Sequence, residues 1–310
     1  MEFDLVAFGR QLRIIRNHLN LTLENVSELS GVNAETIRRI ESGKVIPKLE
    51  TLEFLSITYK QDINSLFLKY RHTSSYYYLN LKSRLEHKLY YNDYFDIDND
   101  IIELEELMKG TENSYLKLDI MQLYLFAKAM LLYKKECSPY KALKFLIDAI
   151  HVTNPDFSLS NMDRFIYSPI EAWILVIIAV VEDDLSDTSL SLRILELCMK
   201  ITEINDSVYI PLYYNLSYAY KKTKNYEKSI EMADKGIKAC QINNNYFGLP
   251  LLYLYKGLSL YHIGDAGYND YFDKALILCQ CFGQKSFKSL IENMYHEITS
   301  CVSTISSSSS

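Results

Sequence analysis

Three stretches of this chain resemble one another at a spacing of about 40 residues, a period typical of helical-repeat arrays. LFAKAMLLY (125–133) precedes YKALKFLIDAI (140–150); YYNLSYAY (213–220) precedes YEKSIEMADKGI (226–237); YLYKGLSLY (253–261) precedes YFDKALIL (271–278). One such pair of helices cannot bury its apolar face alone, so pairs stack into a continuous core and leave a concave face. Small residues recur where paired helices must approach closely: Ala127, Ala142, Ala149, Ser217, Ser229, Gly236, Gly257 and Ala275. The chain has only 10 glycines and 6 prolines in 310 residues, few of the residues that punctuate turns and sheets. The expected fold class is therefore all-α. Helix pairs are predicted over 76–91 with 94–109, 115–135 with 139–152, 163–182 with 187–204, 207–223 with 226–243, and 247–263 with 268–282. A last helix over 284–302 caps the stack.

The N-terminal third has a different rhythm. Five short helices are predicted: Asp4 to Leu19, Leu23 to Ser30, Ala34 to Ser42, Lys48 to Tyr59 and Ile63 to Lys69. Thr22 and Asn33 are placed as N-caps, Gly31 and Gly43 as stops, and Pro47 as the opening of the fourth helix. Val26 and Leu29 are expected to pack helix two, and Val32, Ile37 and Ile40 to face the core. The expected organisation is a first domain over 1–69, a tyrosine-rich linker over 70–78, a repeat domain over 79–303, and a disordered serine tail over 304–310.

Charge and composition exclude several classes. Residues 1–70 hold nine Lys/Arg and nine Asp/Glu, so the formal charge of −6 falls wholly on the remainder. The repeats are thus a poor surface for phosphate, and the N-terminal third has no basic excess to announce nucleic-acid binding. The start, MEFDLVAFGRQLR, has no apolar signal region. The longest apolar run, Ala172 to Val181, is about half of the roughly 20 residues a membrane span needs. No membrane partner is expected, and the location is expected to be cytoplasmic. The six cysteines lack a Cys-x-x-Cys pair and read as reduced core thiols. Six dispersed histidines, no glycine-rich phosphate loop and no local nucleophile–base signature argue against an enzyme, a metal site and a cofactor. Asp96, Asp98 and Asp100 alternate as in a calcium loop, but the glycine and terminal glutamate that loop requires are missing; a solvated helix start is expected.

Residues 19–52, LNLTLENVSELSGVNAETIRRIESGKVIPKLETL, resemble the lambda-repressor-like, or XRE-type, helix-turn-helix family, and the resemblance covers roughly residues 5–68. It implies that helix three lies in the major groove of double-stranded DNA with its N-terminal residues against base edges. Ala34, Glu35, Arg38 and Arg39 then face the DNA, and Asn33 and Thr36 lie near the groove wall. Arg39 is suited to guanine in bidentate fashion, and Glu35 to a cytosine amino group. Lys44 and Lys48 fall in the loop where phosphates pass. Arg16 and Glu41 match positions that form a structural ion pair in this family. Leu23 departs from the glutamine that often opens helix two, which weakens one backbone contact.

The repeats resemble the tetratricopeptide repeat in irregular form: Trp173 takes the usual aromatic position, but Ile177 stands where a small residue is expected. Domain order, length and repeat style together resemble the peptide-pheromone receptors of the RRNPP group in Gram-positive bacteria, especially the PlcR and Rgg types. That resemblance implies a homodimeric, quorum-sensing transcription regulator that binds a palindromic operator and is gated by a short signalling peptide. Asn215, in the Tyr-Asn of LYYNLSYAY, matches the family's asparagine that binds the peptide backbone; an amide offers donor and acceptor together. Tyr214 and Tyr218 flank it on the helix. Asn161, Arg164, Tyr167, Tyr253 and Tyr261 are further candidates for the concave face, with Arg164 suited to a peptide carboxylate. Two readings compete: a protein-interaction adaptor with a vestigial head, and a repressor answering to a metabolite.

Overall fold

The structure is a computed structural model that describes residues 3–70, 73–91, 94–111, 114–285 and 287–296. Every element among the described residues is a helix. The chain forms two compact units: residues 1–84 with 106–117, and residues 85–105 with 118–310.

The first unit contains α1 (Leu5–His18), α2 (Leu23–Ser30), α3 (Ala34–Glu41), α4 (Leu49–Tyr59) and α5 (Ile63–Lys69). Local chemistry sets most boundaries. Asp4, Thr22, Asn33 and Asp62 each accept a backbone N–H in the first turn of the helix they precede. Thr22 and Asn25 form a reciprocal capping box. Gly31 ends α2 in the left-handed region at φ 71°, where a Cβ is costly. Phe8, Leu12, Val26, Ile37, Ile40, Leu55 and Tyr59 make the core. Leu29 is not among them: it is 66% exposed on the outer face of α2. In an eight-residue helix the inner stripe is narrow, and Val26 alone is fully buried. The fourth helix starts at Leu49, one residue later than expected, with Lys48 as an N-cap that makes no side-chain bond and Pro47 buried before it.

The long helix α6 (Thr73–Tyr91) begins well inside the expected linker and runs through the boundary between the units; α7 (Ile97–Gly110) follows. The expected 70–78 join is therefore helical from Thr73 onward, with 71 and 72 outside the described residues. The alternating acids at the start of α7 are paired, not merely solvated. Asp100 is 1% exposed and, with Asp96, accepts the Lys88 ammonium at 2.6 Å, while Asp98 takes Lys135 at 2.5 Å. The spacing of the acids alone cannot reveal a lysine on another helix.

The rest of the second unit is α8 (Ser114–Lys134), α9 (Pro139–His151), α10 (Pro169–Asp184), α11 (Thr188–Ile201), α12 (Tyr209–Lys222), α13 (Tyr226–Ile242), α14 (Leu249–His262) and α15 (Tyr268–Cys281). From α9 onward each helix packs on the next, and α12 also touches α10 and α14. The small residues sit where the repeat demanded them. Ser217, Ser229 and Ser259 are fully buried where α12, α13 and α14 meet. Ser217 Oγ donates to the Ser229 carbonyl at 2.9 Å, Ser229 Oγ to the Ser217 carbonyl at 2.7 Å, and Ser259 Oγ to Ser229 Oγ at 2.7 Å. Close approach thus leaves none of the three hydroxyls unpaired.

Three expectations shift. The first helix of the third pair starts at Pro169, not 163, because Ser168 and Glu171 make a capping box behind a proline at the first position. Cys198, Cys240 and Cys279 are core thiols, but Cys137 and Cys281 are exposed, since Cys137 lies in the α8–α9 connection and Cys281 is the last residue of α15. Residues 287–296 are helical, while 286, 297–302 and the serine tail lie outside the described residues.

Candidate DNA-reading helix and ligand groove

α3 owes its position to what lies beneath it. Ile37 and Ile40 are buried on its inner face. At Gly9 in α1 an added Cβ would stand 2.4 Å from the Ile40 carbonyl oxygen and 2.6 Å from that of Glu41, so glycine lets α1 seat the end of α3 against bare backbone. The Arg16 guanidinium completes the anchor. Its Nε donates to Glu41 Oε1 at 2.6 Å, Nη2 to Oε2 at 2.9 Å, and Nη1 to the Leu21 carbonyl at 2.9 Å. Both side chains are nearly buried, at 10% and 6% exposure. The bond to Glu41 pushes the Arg16 guanidinium above its ordinary pKa. Tyr59 is buried in the same core, and burial, then the Glu41 charge, pushes its phenol up.

The outer face of α3 carries Glu35, Arg38 and Arg39, all exposed, with Ala34 and Thr36 half-buried at its edges. Asn33 uses its carbonyl oxygen to cap the helix, accepting from the Glu35 N–H at 2.8 Å, which leaves its amide N–H groups for a partner. Arg38 and Glu35 form an exposed ion pair at 2.9 Å. Lys44 and Lys48 are exposed in the loop beyond. Thr36, Val45, Pro47, Lys48 and Phe54 line a cleft of about 380 Å³ between α3 and α4. The eight expected DNA-facing residues thus lie on one helix, its cap and its following loop.

The residues expected on the concave face divide. Asn215 and Tyr218 border a groove of about 500 Å³, formed from the ends of α8 and α10, Ser191 and Leu195 of α11, the middle of α12, Tyr255 of α14, and Leu290 and Met294 of 287–296. Asn215 Nδ2 donates to the Pro211 carbonyl at 2.9 Å, which fixes the amide and leaves Oδ1 as an acceptor. Tyr214 lies one residue away, and burial pushes its phenol up. Tyr253 and Tyr261 pack against the α14–α15 core, beside Tyr271 and Tyr268 respectively, and do not line the groove.

Asn161, Arg164 and Tyr167 are not there either. They belong to the α9–α10 connection, around a 3-10 turn over Met162–Arg164. Asn161 bridges the Ser158 N–H and the Asp156 carbonyl, and Tyr167 Oη donates to the Met162 carbonyl at 2.6 Å. Asn161 and Tyr167 thus brace the loop, Arg164 is exposed in it, and none of the three lines the groove. In turn the groove includes Tyr133, Lys134, Asp183, Asp184, Tyr255, Leu290 and Met294, none singled out from the sequence. A signal was present: charged residues follow the apolar runs 129–132 and 172–181 as Tyr-Lys-Lys and Glu-Asp-Asp.

The fold and site define a helix-turn-helix protein in which that domain precedes a stack of helical repeats. Residues 12–66 match the family described as Helix-turn-helix, HTH_3. RghR of Bacillus subtilis (strain 168), an HTH-type transcriptional repressor, is 39% identical over 64 residues; the match covers 20% of this chain and 47% of RghR, so the chain spans about half of that relative's length. Two solved structures are similar along nearly the whole chain. PlcR of Bacillus thuringiensis, in complex with the peptide PapR7 and DNA, has a TM-score of 0.71 at 18% identity, covering 92% of this chain and 98% of PlcR. A point variant of the Streptococcus dysgalactiae SHP pheromone receptor Rgg2 has a TM-score of 0.56 at 15% identity, covering 93% and 98%. At these identities the likeness is one of fold. No helix among the described residues is long and apolar enough to cross a membrane.

Proposed function

We propose that this chain is a sequence-specific DNA-binding transcription regulator, gated by a short signalling peptide in its repeat unit. The observation that carries the reading is a helix-turn-helix whose third helix is locked from behind by Gly9 and the Arg16–Glu41 pair while presenting Arg38 and Arg39 outward. Rigid anchoring of a base-reading helix gives specificity, because bidentate contacts to base edges tolerate little misplacement. The groove beside Asn215 supports the second half: it has the size of a ligand pocket, tyrosine and aliphatic walls, and an amide fixed with one acceptor free. PlcR, similar in fold over 92% of the chain, was solved with both a peptide and DNA bound, which supports placing both functions on one chain.

In this reading residues 1–69 read DNA, and 79–303 sense the ligand and dimerise. The protein acts in the cytoplasm as a homodimer on a palindromic operator, and does no catalysis. The test is selection of bound duplexes from a random pool by the full-length protein, with and without a pool of short synthetic peptides. Recovery of a two-fold symmetric site whose occupancy changes with peptide is the expected result. Recovery of no preferred sequence overturns the DNA half, and an operator indifferent to every peptide overturns the gating half.

A further inference from the structure

The groove is lined by three charged residues, and two of them have firm partners. Asp183 accepts the Lys222 ammonium at 2.8 Å and the Thr188 hydroxyl at 2.7 Å. Asp184 accepts the phenol of Tyr133. Lys134, at the last turn of α8, forms no ion pair among the described residues; its Nζ rests 4.3 Å from the centre of the Tyr133 ring. The residue is exposed along the groove, so a ligand can reach it. The protein crowded around its ammonium nonetheless displaces part of the hydration shell and holds the group below the ordinary lysine pKa, and the more distant Asp184 charge opposes that shift only in part. Around it the walls are Val180, Leu195, Tyr255, Leu290 and Met294. An ammonium in a groove with apolar walls and no carboxylate at ion-pair distance is open to an incoming anion, which gains a charge-assisted hydrogen bond there.

We infer that Lys134 is the specificity residue of the groove and receives an anionic group of the ligand, a carboxylate from either the C-terminus of the peptide or an Asp or Glu side chain. This rests on the peptide reading above and adds to it the chemical class of the ligand. The tyrosine and aliphatic walls take the apolar remainder, and Asn215 Oδ1 accepts a main-chain N–H.

The test uses the full-length protein and an equimolar pool of synthetic random heptapeptides, half with a free C-terminal carboxylate and half amidated. Retained peptides are read by mass spectrometry for wild type, Lys134→Met and Lys134→Arg. Wild type retains anion-bearing peptides. Enrichment of free-acid over amidated forms regardless of sequence assigns the C-terminus, and enrichment of Asp or Glu in both forms assigns a side chain. Lys134→Met lowers affinity for the retained peptides about tenfold, near 1.4 kcal/mol, and erases the anionic bias, while Lys134→Arg keeps it. Peptides retained without anionic bias, or with a basic one, overturn the assignment and leave peptide binding standing. Retention of no peptide overturns both.

Discussion

The two arginines of α3 do different physical work before any DNA arrives. Arg38 is held by Glu35 at 2.9 Å, whereas Arg39 forms no ion pair among the described residues. Arg39→Ala is expected to weaken operator binding by about 1–3 kcal/mol and to relax preference at one base position. Lys44→Ala should weaken all sequences alike and reduce the salt slope by about 1, as loss of one phosphate contact does. Fluorescence anisotropy against single-base operator variants checks both, and unchanged affinity in Arg39→Ala rejects the placement of this helix. Behind α3, Arg16→Ala strands the Glu41 carboxylate at 6% exposure. About 3 kcal/mol of stability should be lost, visible in the urea midpoint. The matching positions Arg16 and Glu41 were legible in the sequence; the third bond, to the Leu21 carbonyl, required the fold to bring that turn back.

Among the elements, α1 and α10 show how little of a helix's environment its own pattern reveals. The helical spacing of Phe8 and Leu12 puts both on one face of α1, and both are buried. It could not show that Gly9 meets the backbone of α3, since that contact involves no side chain. Gly9→Ala drives a Cβ into two carbonyl oxygens and should cost about 1–3 kcal/mol, despite alanine's better helix propensity. A thermal melt showing a stabilised Gly9→Ala protein would sink the packing account. In α10, Glu182 is buried, and burial, then Asp187, holds its carboxyl above the usual carboxylate range. The folded pKa exceeds the unfolded one, so the fold prefers the protonated acid. Its contribution is favourable at low pH and is lost as pH rises through the folded value. Glu182→Gln should therefore be more stable than wild type at about pH 7.5, with the gap closing toward about pH 4. Urea titrations at the two pH values measure it, and a gap that widens at low pH contradicts the burial argument.

For the whole molecule, one helix-turn-helix covers only a half-site, so two copies are expected on a two-fold operator. Sedimentation of the protein free and on selected DNA checks this; a monomer in both conditions rules it out. A peptide can shift DNA binding only by its differential affinity for the two arrangements, typically about 1–3 kcal/mol, and the operator must change peptide affinity by the same factor. Asn215→Ala removes the groove's fixed acceptor and should weaken the peptide while operator binding by the unliganded protein stays intact. Calorimetry that finds full peptide affinity in this variant removes Asn215 from the site.

The helix-turn-helix, the all-α class and the repeat were determined by the sequence itself. They rest on local facts: capping side chains at Thr22 and Asn33, the left-handed glycine at position 31, and small residues repeating at the period of a helix pair. Only the tertiary structure decided the groove. Tyr133 and Asp184 are 51 residues apart in sequence yet share a hydrogen bond, and Lys88 meets Asp100 from a different helix. It also put Asn161, Arg164 and Tyr167 in the α9–α10 connection, outside the lining of the groove at Asn215, since α10 starts behind a capping box at Ser168 and Glu171. Periodicity specifies which face of a helix is buried. It does not specify which helix that face meets, and the charges lining a groove are set by that meeting.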